Sequence, residues 1–294
     1  MQNVRYESHV CALYFEKKTN PNLLICIMPR ANVLLFLLII CLADLAICDR
    51  CCVINYHELP RYDLIKTNWR SNQLIISRKV VSNVKKCEEF AASKRALAFN
   101  LASKRNRAGS QENTCQVLQC PEDRNLTTLV RAANYRYYSM YPLFSLPENA
   151  TIECIPKAGM FIFSSESLNY TQAQSFCQKR NASLAHVISE ERTEGLARFL
   201  LQNHPNFVGL SNNDKERIWK NEFGESLSCF DYRAWGEGQP SHFKGCVALV
   251  NPSAESSPPF WKVVPCQISL PFICEISPLP QRSSRQHHRN HHRT

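Results

Sequence analysis

The sequence predicts a disulfide-bonded α+β protein made in an oxidising compartment, and three observations lead to this class. The chain of 294 residues contains fifteen cysteines, far more than a protein kept in reduced form usually carries. An unbroken apolar run at 33–41 provides a route out of the cytosol. Segments with helical spacing alternate with strand-like runs, which indicates mixed secondary structure. The length favours two domains rather than one.

The apolar run and its flanks have the pattern of a signal peptide at 28–48. Met28 and Arg30 precede the run, and Ala46 and Cys48 supply small residues at the exit. A membrane helix needs roughly 20 apolar residues, so the run is short for one. A type II anchor remains the alternative. We interpret residues 1–27 as an upstream extension and expect a secreted mature chain without a transmembrane span.

The formal charge of +10 is concentrated in two places. Residues 61–107 carry twelve Lys or Arg against three acids, and residues 282–294 carry four Arg, four His and no acid. A solvated basic face is the common outcome of such a run, and contact with an acidic polysaccharide is the functional alternative. We expect 277–294 to be a disordered, basic, His-rich tail and expect no nucleic-acid partner.

Residues 49–156 form the first predicted domain, which is cysteine-rich. Apolar spacing predicts a helix from about Val84 to Leu101, a polar loop over 103–113 and a strand over 114–118. Six cysteines in this region permit fifteen bridge patterns, among which spacing does not choose.

Residues 157–276 form the second predicted domain. Thr171 and Gln174 match a capping box at the start of one helix, and Ser189 is placed to cap a second. Strands are predicted at 160–163, 207–210, 246–250 and 272–275.

The second domain resembles the C-type lectin domain family, through several segments in the family's order. These are the segment from Tyr170 to Cys177, residues 181–185, the Phe207-Val-Gly-Leu210 strand, and Trp219, Gly224 and Trp235-Gly236, followed by Cys246, Cys266 and Cys274. The resemblance implies an α+β double-loop fold with two helices, two small antiparallel sheets and a long loop on one face. A small disulfide-rich α+β domain would precede it.

The resemblance also implies two bridges, Cys177–Cys274 and Cys246–Cys266. Eleven cysteines follow the predicted cleavage point, an odd number. Cys229 matches no bridge of the family and is our candidate for the unpaired or intermolecular cysteine. The first domain resembles the apple/PAN-like group, which implies a Cys87–Cys115 bridge between helix and strand.

Sugar-binding members of this family hold calcium in the long loop, and this chain departs from their motifs. Gln239-Pro240 is followed by Ser241, with no added acid before Cys246. Lys262 follows Trp261, where the family has oxygen donors. Calcium needs six to eight oxygens, so the sequence predicts neither calcium nor another metal or cofactor here. The candidate ligand-binding residues are Gln239, Ser241, His242, Lys244, Trp261 and Lys262.

Sequons begin at four asparagines and predict a glycoprotein: Asn125, Asn149, Asn169 and Asn181. The chain contains no G-x-S-x-G, no H-E-x-x-H and no glycine-rich loop, so we expect no catalytic residues and no enzyme.

The leading expectation is a secreted, non-enzymatic binding or adhesion protein of extracellular matrix or cuticle, similar to arthropod extracellular lectin-like proteins. Its partner would be a glycan, a polysaccharide or a matrix protein. A soluble pattern-recognition lectin of innate immunity and a membrane-anchored lectin-like receptor are the alternatives.

Overall fold

A computed structural model describes residues 60–105, 111–122, 126–141, 149–212, 218–242, 244–253 and 257–278. The predicted upstream extension, signal peptide, tail and Asn125 therefore lie outside the described residues, apart from Ser277 and Pro278. Within these ranges no helix has the length and apolarity needed to cross a bilayer.

The first sheet has five antiparallel strands in the order β1-β5-β3-β4-β2. One helix, α1 (Val84–Ser93), packs against it. The strands are β1 (Asp63–Ser71), β2 (Ile75–Val81), β3 (Ala98–Arg105), β4 (Gln111–Leu118) and β5 (Leu129–Ser139). The Cys87–Cys115 disulfide joins α1 to β4, the pairing that the apple/PAN-like resemblance implies. That wider resemblance stays a prediction.

Helix α1 is shorter than predicted. It ends at Ser93, and Arg95 adopts a left-handed backbone with φ 51°. The Ala96 amide then donates to the Ala91 carbonyl at 3.0 Å and closes the turn. Beyond it, buried Phe99 and Leu101 alternate with neighbours on the other sheet face, as a strand requires. The prediction of a continuous helix to Leu101 is wrong here, because the apolar residues satisfy the spacing of a helix and also that of a strand.

The two ends of the predicted polar loop over 103–113, residues 103–105 and 111–113, are paired backbone. β3 and β4 run antiparallel as far as the pair Arg105 and Gln111. Phe99 lies at the centre of the α1-facing core, between the rings of Tyr62 at 5.2 Å and Tyr138 at 4.7 Å.

The second sheet has seven strands, with β12 at its centre. The order is β11-β10-β9-β12-β7-β6, and β8 also pairs with β12. Its elements are β6 (Ala150–Ile155), β7 (Gly159–Leu168), α2 (Tyr170–Gln178), β8 (Ala182–Leu184), α3 (Glu190–Ala197), β9 (Asn206–Asn212), β10 (Gly245–Val250), β11 (Phe260–Val264) and β12 (Leu270–Ile276). A parallel contact between Phe272 and Phe207 joins what the resemblance implied as two small sheets.

Two disulfides close this second unit with the pairing that the resemblance implies. The long bridge, Cys177–Cys274, joins α2 to β12 across 97 positions. The short bridge, Cys246–Cys266, joins the start of β10 to the segment after β11 across 20 positions.

The helix caps differ in how well the sequence located them. Asn169, two residues before the predicted position, caps α2 and forms a reciprocal capping box with Gln172. Thr171 instead lies in the first turn of the helix. Ser189 caps α3 as predicted, accepting a hydrogen bond from the Arg192 amide at 3.3 Å.

The two sheets are joined covalently and by packing. The Cys120–Cys154 disulfide links the segment after β4 to β6. Leu97 from the first region is buried in the core of the second, and Met140 packs beside it. β6 lies before the boundary predicted at residue 156, yet it pairs with β7 in the second sheet.

Candidate ligand-binding surface

The long loop between β9 and β10 is anchored to β11 by aromatic side chains. Trp261 is fully buried, and its ring lies 5.4 Å from that of Trp235 and 5.5 Å from that of Tyr232. The backbones are also paired, because the Trp261 amide donates to Ala234 and the Gly236 amide donates to Trp261. The buried Trp261 side chain therefore supports the loop from the protein interior and is not available to contact a ligand.

Gln239 likewise serves the loop backbone. Its Oε1 accepts hydrogen bonds from the amides of Val263 at 2.9 Å and Ser241 at 3.3 Å. The Gln239–Pro240 peptide bond is cis. With Oε1 accepting two backbone hydrogen bonds, this side chain ties the loop to β11.

Four of the six candidate ligand-binding residues are exposed: Ser241, His242, Lys244 and Lys262. Lys262 lies on β11, the edge strand of the sheet, and Lys244 immediately precedes β10. The loop and the adjoining edge strand thus expose hydroxyl, imidazole and ammonium groups. Such groups hydrogen-bond to neutral hydroxyls and attract anions.

The described part of the loop contains no cluster of carboxylates of the kind that calcium usually requires. Two loop carboxylates are engaged through one oxygen each: Glu222 Oε2 accepts from the Leu184 amide at 3.0 Å, and Glu225 Oε2 accepts from Asn221 at 2.6 Å. Within the described ranges no three His, Cys, Asp or Glu side chains are grouped as metal ligands. The exposed ammonium of Lys262 adds positive charge on β11, which disfavours a cation nearby.

Sequence reasoning missed Glu222, a half-buried carboxyl at the base of the loop. Burial raises its pKa to about 7, although hydrogen bonds from Leu184 and Gln174 oppose that shift. Its Oε1 is buried without a partner. Nothing in the local sequence distinguishes Glu222 from an exposed loop acid, so only the fold reveals it.

A second missed group is an ion pair beneath α3. Arg192 donates from Nη1 and Nη2 to the two carboxylate oxygens of Glu275, at 2.8 and 2.5 Å. Arg192 also donates to the carbonyls of His186 and Ala158, each at 3.0 Å. The sequence signal that could have indicated this ion pair is the presence of an acid, Glu275, within the otherwise apolar strand β12. The pair holds α3 against the sheet and takes no part in the loop surface.

The prediction for Cys229 is wrong. It is disulfide-bonded, so it is not the unpaired or intermolecular cysteine. It lies at the end of a short 3₁₀ turn, Leu227–Cys229, inside the long loop. Its partner lies outside the described residues.

The described sequons differ in environment. Asn149 and Asn181 are exposed, whereas Asn169 is half-buried and its Oδ1 accepts from the Gln172 amide at 3.0 Å. Glycosylation at all four positions remains a prediction.

The family comparison agrees with this architecture. The family model described as the Lectin C-type domain matches residues 166–276. These residues, with their two helices, central β12 and two bridges, form a C-type lectin-like domain.

Relatives of known name are similar to part of the chain. C-type lectin domain family 4 member E from Mus musculus is 28% identical over 133 residues, which are 42% of this chain and 59% of that protein. A C-type lectin from Micrurus corallinus is 28% identical over 115 residues, covering 37% of this chain and 71% of that one. The chain thus spans about three fifths of the mouse relative.

Among solved structures, the Ca²⁺-independent C-type lectin SPL-2 from Saxidomus purpuratus is 24% identical with a TM-score of 0.36, covering 44% of this chain and 92% of that one. The mouse scavenger receptor C-type lectin carbohydrate-recognition domain is 22% identical with a TM-score of 0.37, covering 46% and 100%.

Proposed function

We propose that the protein is a secreted, non-enzymatic lectin-like binding protein that recognises an extracellular glycan or matrix component without calcium. The observation that carries this proposal is that the candidate residues fall into two groups, one that supports the loop and one that is exposed to solvent. Gln239 and Trp261 are used internally, and the exposed groups are Ser241, His242, Lys244 and Lys262. A surface of this kind binds through hydrogen bonds and cationic charge, without a coordinated ion.

The relatives support a binding role rather than catalysis. One aligned protein is the C-type lectin mannose-binding isoform of Notechis scutatus scutatus, 27% identical over 143 residues. Extracellular matrix or cuticle is our proposed location, and a contact of the basic stretch 61–107 with polyanions is a further part of the proposal. In the described part of that stretch, Lys66 and Arg78 are exposed.

A glycan array probed with the full-length secreted protein tests this function. We expect binding that is equal with and without a calcium chelator, and weaker after Lys262→Ala or Lys244→Ala. Lys179→Ala is the matched control, since Lys179 is an exposed lysine of the same domain at the C-cap of α2. Binding that disappears with the chelator would contradict calcium independence. Equal loss from all three variants would contradict the proposed surface.

A further inference from the structure

A groove at the edge of the second sheet lies away from the long loop. It has a volume of about 420 Å³ and runs between β6 and the segment that follows α3. Its walls include Asn149, Thr151, Phe163, Ser165, Phe199 and Leu201. This volume lies in the range of sites that hold small organic ligands.

The floor of the groove is apolar and open to solvent. The rings of Phe163 and Phe199 are 5.3 Å apart at an angle of 46°. Phe199 is 47% exposed and Leu201 is 73% exposed. Two large apolar side chains exposed side by side in a concave surface indicate a contact site rather than scattered surface residues.

Asn149 stands at the wall of this groove and begins a sequon with Thr151. Its carbonyl oxygen accepts hydrogen bonds from the amide and the hydroxyl of Ser165, both at 3.1 Å. Thr151 is paired with Phe163 across β6 and β7. The backbone of the sequon is therefore fixed beside the aromatic floor, while the Asn149 side chain is exposed.

We propose that Asn149 carries an N-linked glycan whose first N-acetylglucosamine lies in this groove and covers Phe199 and Leu201. The inference rests on the secretion stated in the proposed function, because the sugar donor is a lipid-pyrophosphate-linked oligosaccharide of the secretory pathway. The amide nitrogen of Asn149 bonds to C1 of the first sugar and loses one proton. The bond between C1 and the pyrophosphate oxygen breaks, and the lipid pyrophosphate leaves.

The contact is favourable on physical grounds. N-acetylglucosamine offers C–H groups and an acetamido methyl, which pack against an aromatic face of negative potential. Covering the exposed parts of Phe199 and Leu201 removes apolar surface from water. Because the sugar is tethered at Asn149, its effective concentration is high and a weak contact suffices. Asn169 offers less freedom, since its oxygen caps α2.

The test uses the full chain secreted from insect cells. Thr151→Ser keeps the sequon. Thr151→Val removes the hydroxyl residue of the sequon, and Asn149→Gln removes its asparagine. Peptide mass spectrometry should find a glycan on Asn149 in the wild type and in Thr151→Ser only. Loss of the sequon should lower the melting temperature by about 2–4 °C, and trimming the glycan to one sugar should leave it unchanged.

Phe199→Ser removes part of the apolar floor and keeps the sequon. In that background, loss of the sequon should shift the melting temperature by about 1 °C or less. A secreted protein with an unmodified Asn149, or an equal shift in both backgrounds, would overturn the groove inference alone. Failure to reach the medium, with every sequon unmodified, would contradict the proposed secretion and the inference together.

Discussion

Replacing Glu275 by glutamine tests whether the ion pair beneath α3 holds the second unit together. Glu275 lies on the central strand β12, and its side chain is only 17% exposed. It accepts both hydrogen bonds from Arg192 and a third from the His186 amide at 3.2 Å. Glutamine keeps the shape of the side chain but removes the negative charge.

The expected magnitude follows from the burial of Arg192, whose side chain is 14% exposed. Without Glu275 its charge is nearly buried and uncompensated, which typically costs about 3–5 kcal/mol. At about 2–4 °C per kcal/mol, the melting temperature should fall by roughly 10 °C at pH 7.

The pH dependence provides a second measurement. Burial alone raises the pKa of Glu275, but the charge and hydrogen bonds of Arg192 outweigh it and hold the pKa below its usual range. A lowered folded-state pKa means that the stabilisation is complete above the unfolded-state value, about 4.3, and is lost as the pH falls through the folded-state pKa. The difference between wild type and Glu275→Gln should therefore narrow below about pH 4.

Circular dichroism melts between pH 3 and 8 measure both quantities. Glu191→Gln is the matched control, because Glu191 pairs with Arg95 at 3.1 Å with both side chains more than half exposed. Such a pair contributes about 0–1 kcal/mol. If the two variants melted together at pH 7, the reasoning about the buried pair would be refuted.

Three further results are expected from unfolding measurements. Serine in place of both cysteines of the long bridge should cost about 4–5 kcal/mol, against about 3 kcal/mol for the short bridge, because the closed loop is longer; equal losses would contradict the chain-entropy argument. Glu222→Gln should stabilise the protein by about 1 kcal/mol at pH 8, allowing for partial exposure, and by little near pH 4. The reason is that burial raises the folded-state pKa to about 7, so the stability of the wild type falls as the pH rises from about 4.5 to 7; an advantage that does not change with pH would count against it. Gly209→Ala should cost about 1–3 kcal/mol, because a Cβ there would lie 2.5 Å from the Leu184 carbonyl oxygen; an unchanged unfolding free energy would show that the strand shifts freely.

The lectin-like half could be predicted from sequence because its signals are local and occur in series. The predicted strands at 246–250 and 272–275 lie within β10 and β12, and Ser189 caps its helix as expected. Cysteines at family-like spacing supplied the pairing that the structure contains.

The first region was harder because strand pairing is not local. β1 pairs with β5, more than fifty residues away, and the alternation in β1 is weak where both faces are partly exposed. The helix predicted to reach Leu101 failed for a related reason. Its apolar residues satisfy both a helical and a strand period, and only the neighbouring strands decide between them.

The sequence could not predict the direction in which the candidate side chains point. Gln239 lies in the loop and Trp261 lies on β11 beside it, and both side chains support the loop rather than face outward. The direction in which these side chains point depends on the register of β10 against β11, which cannot be deduced from the local sequence.

The Cys120–Cys154 bridge has a consequence for how this molecule meets a polymer. A covalent tie between the two sheets, reinforced by Leu97 inside the second core, limits how far the basic stretch and the lectin-like loop can separate. A polysaccharide bound at either the basic stretch or the loop would already lie near the other site. The second contact would then form with a smaller loss of conformational freedom. Avidity would then depend on the repeat length of the polymer, and cutting the chain between its halves would abolish it only when the Cys120–Cys154 bridge was also reduced.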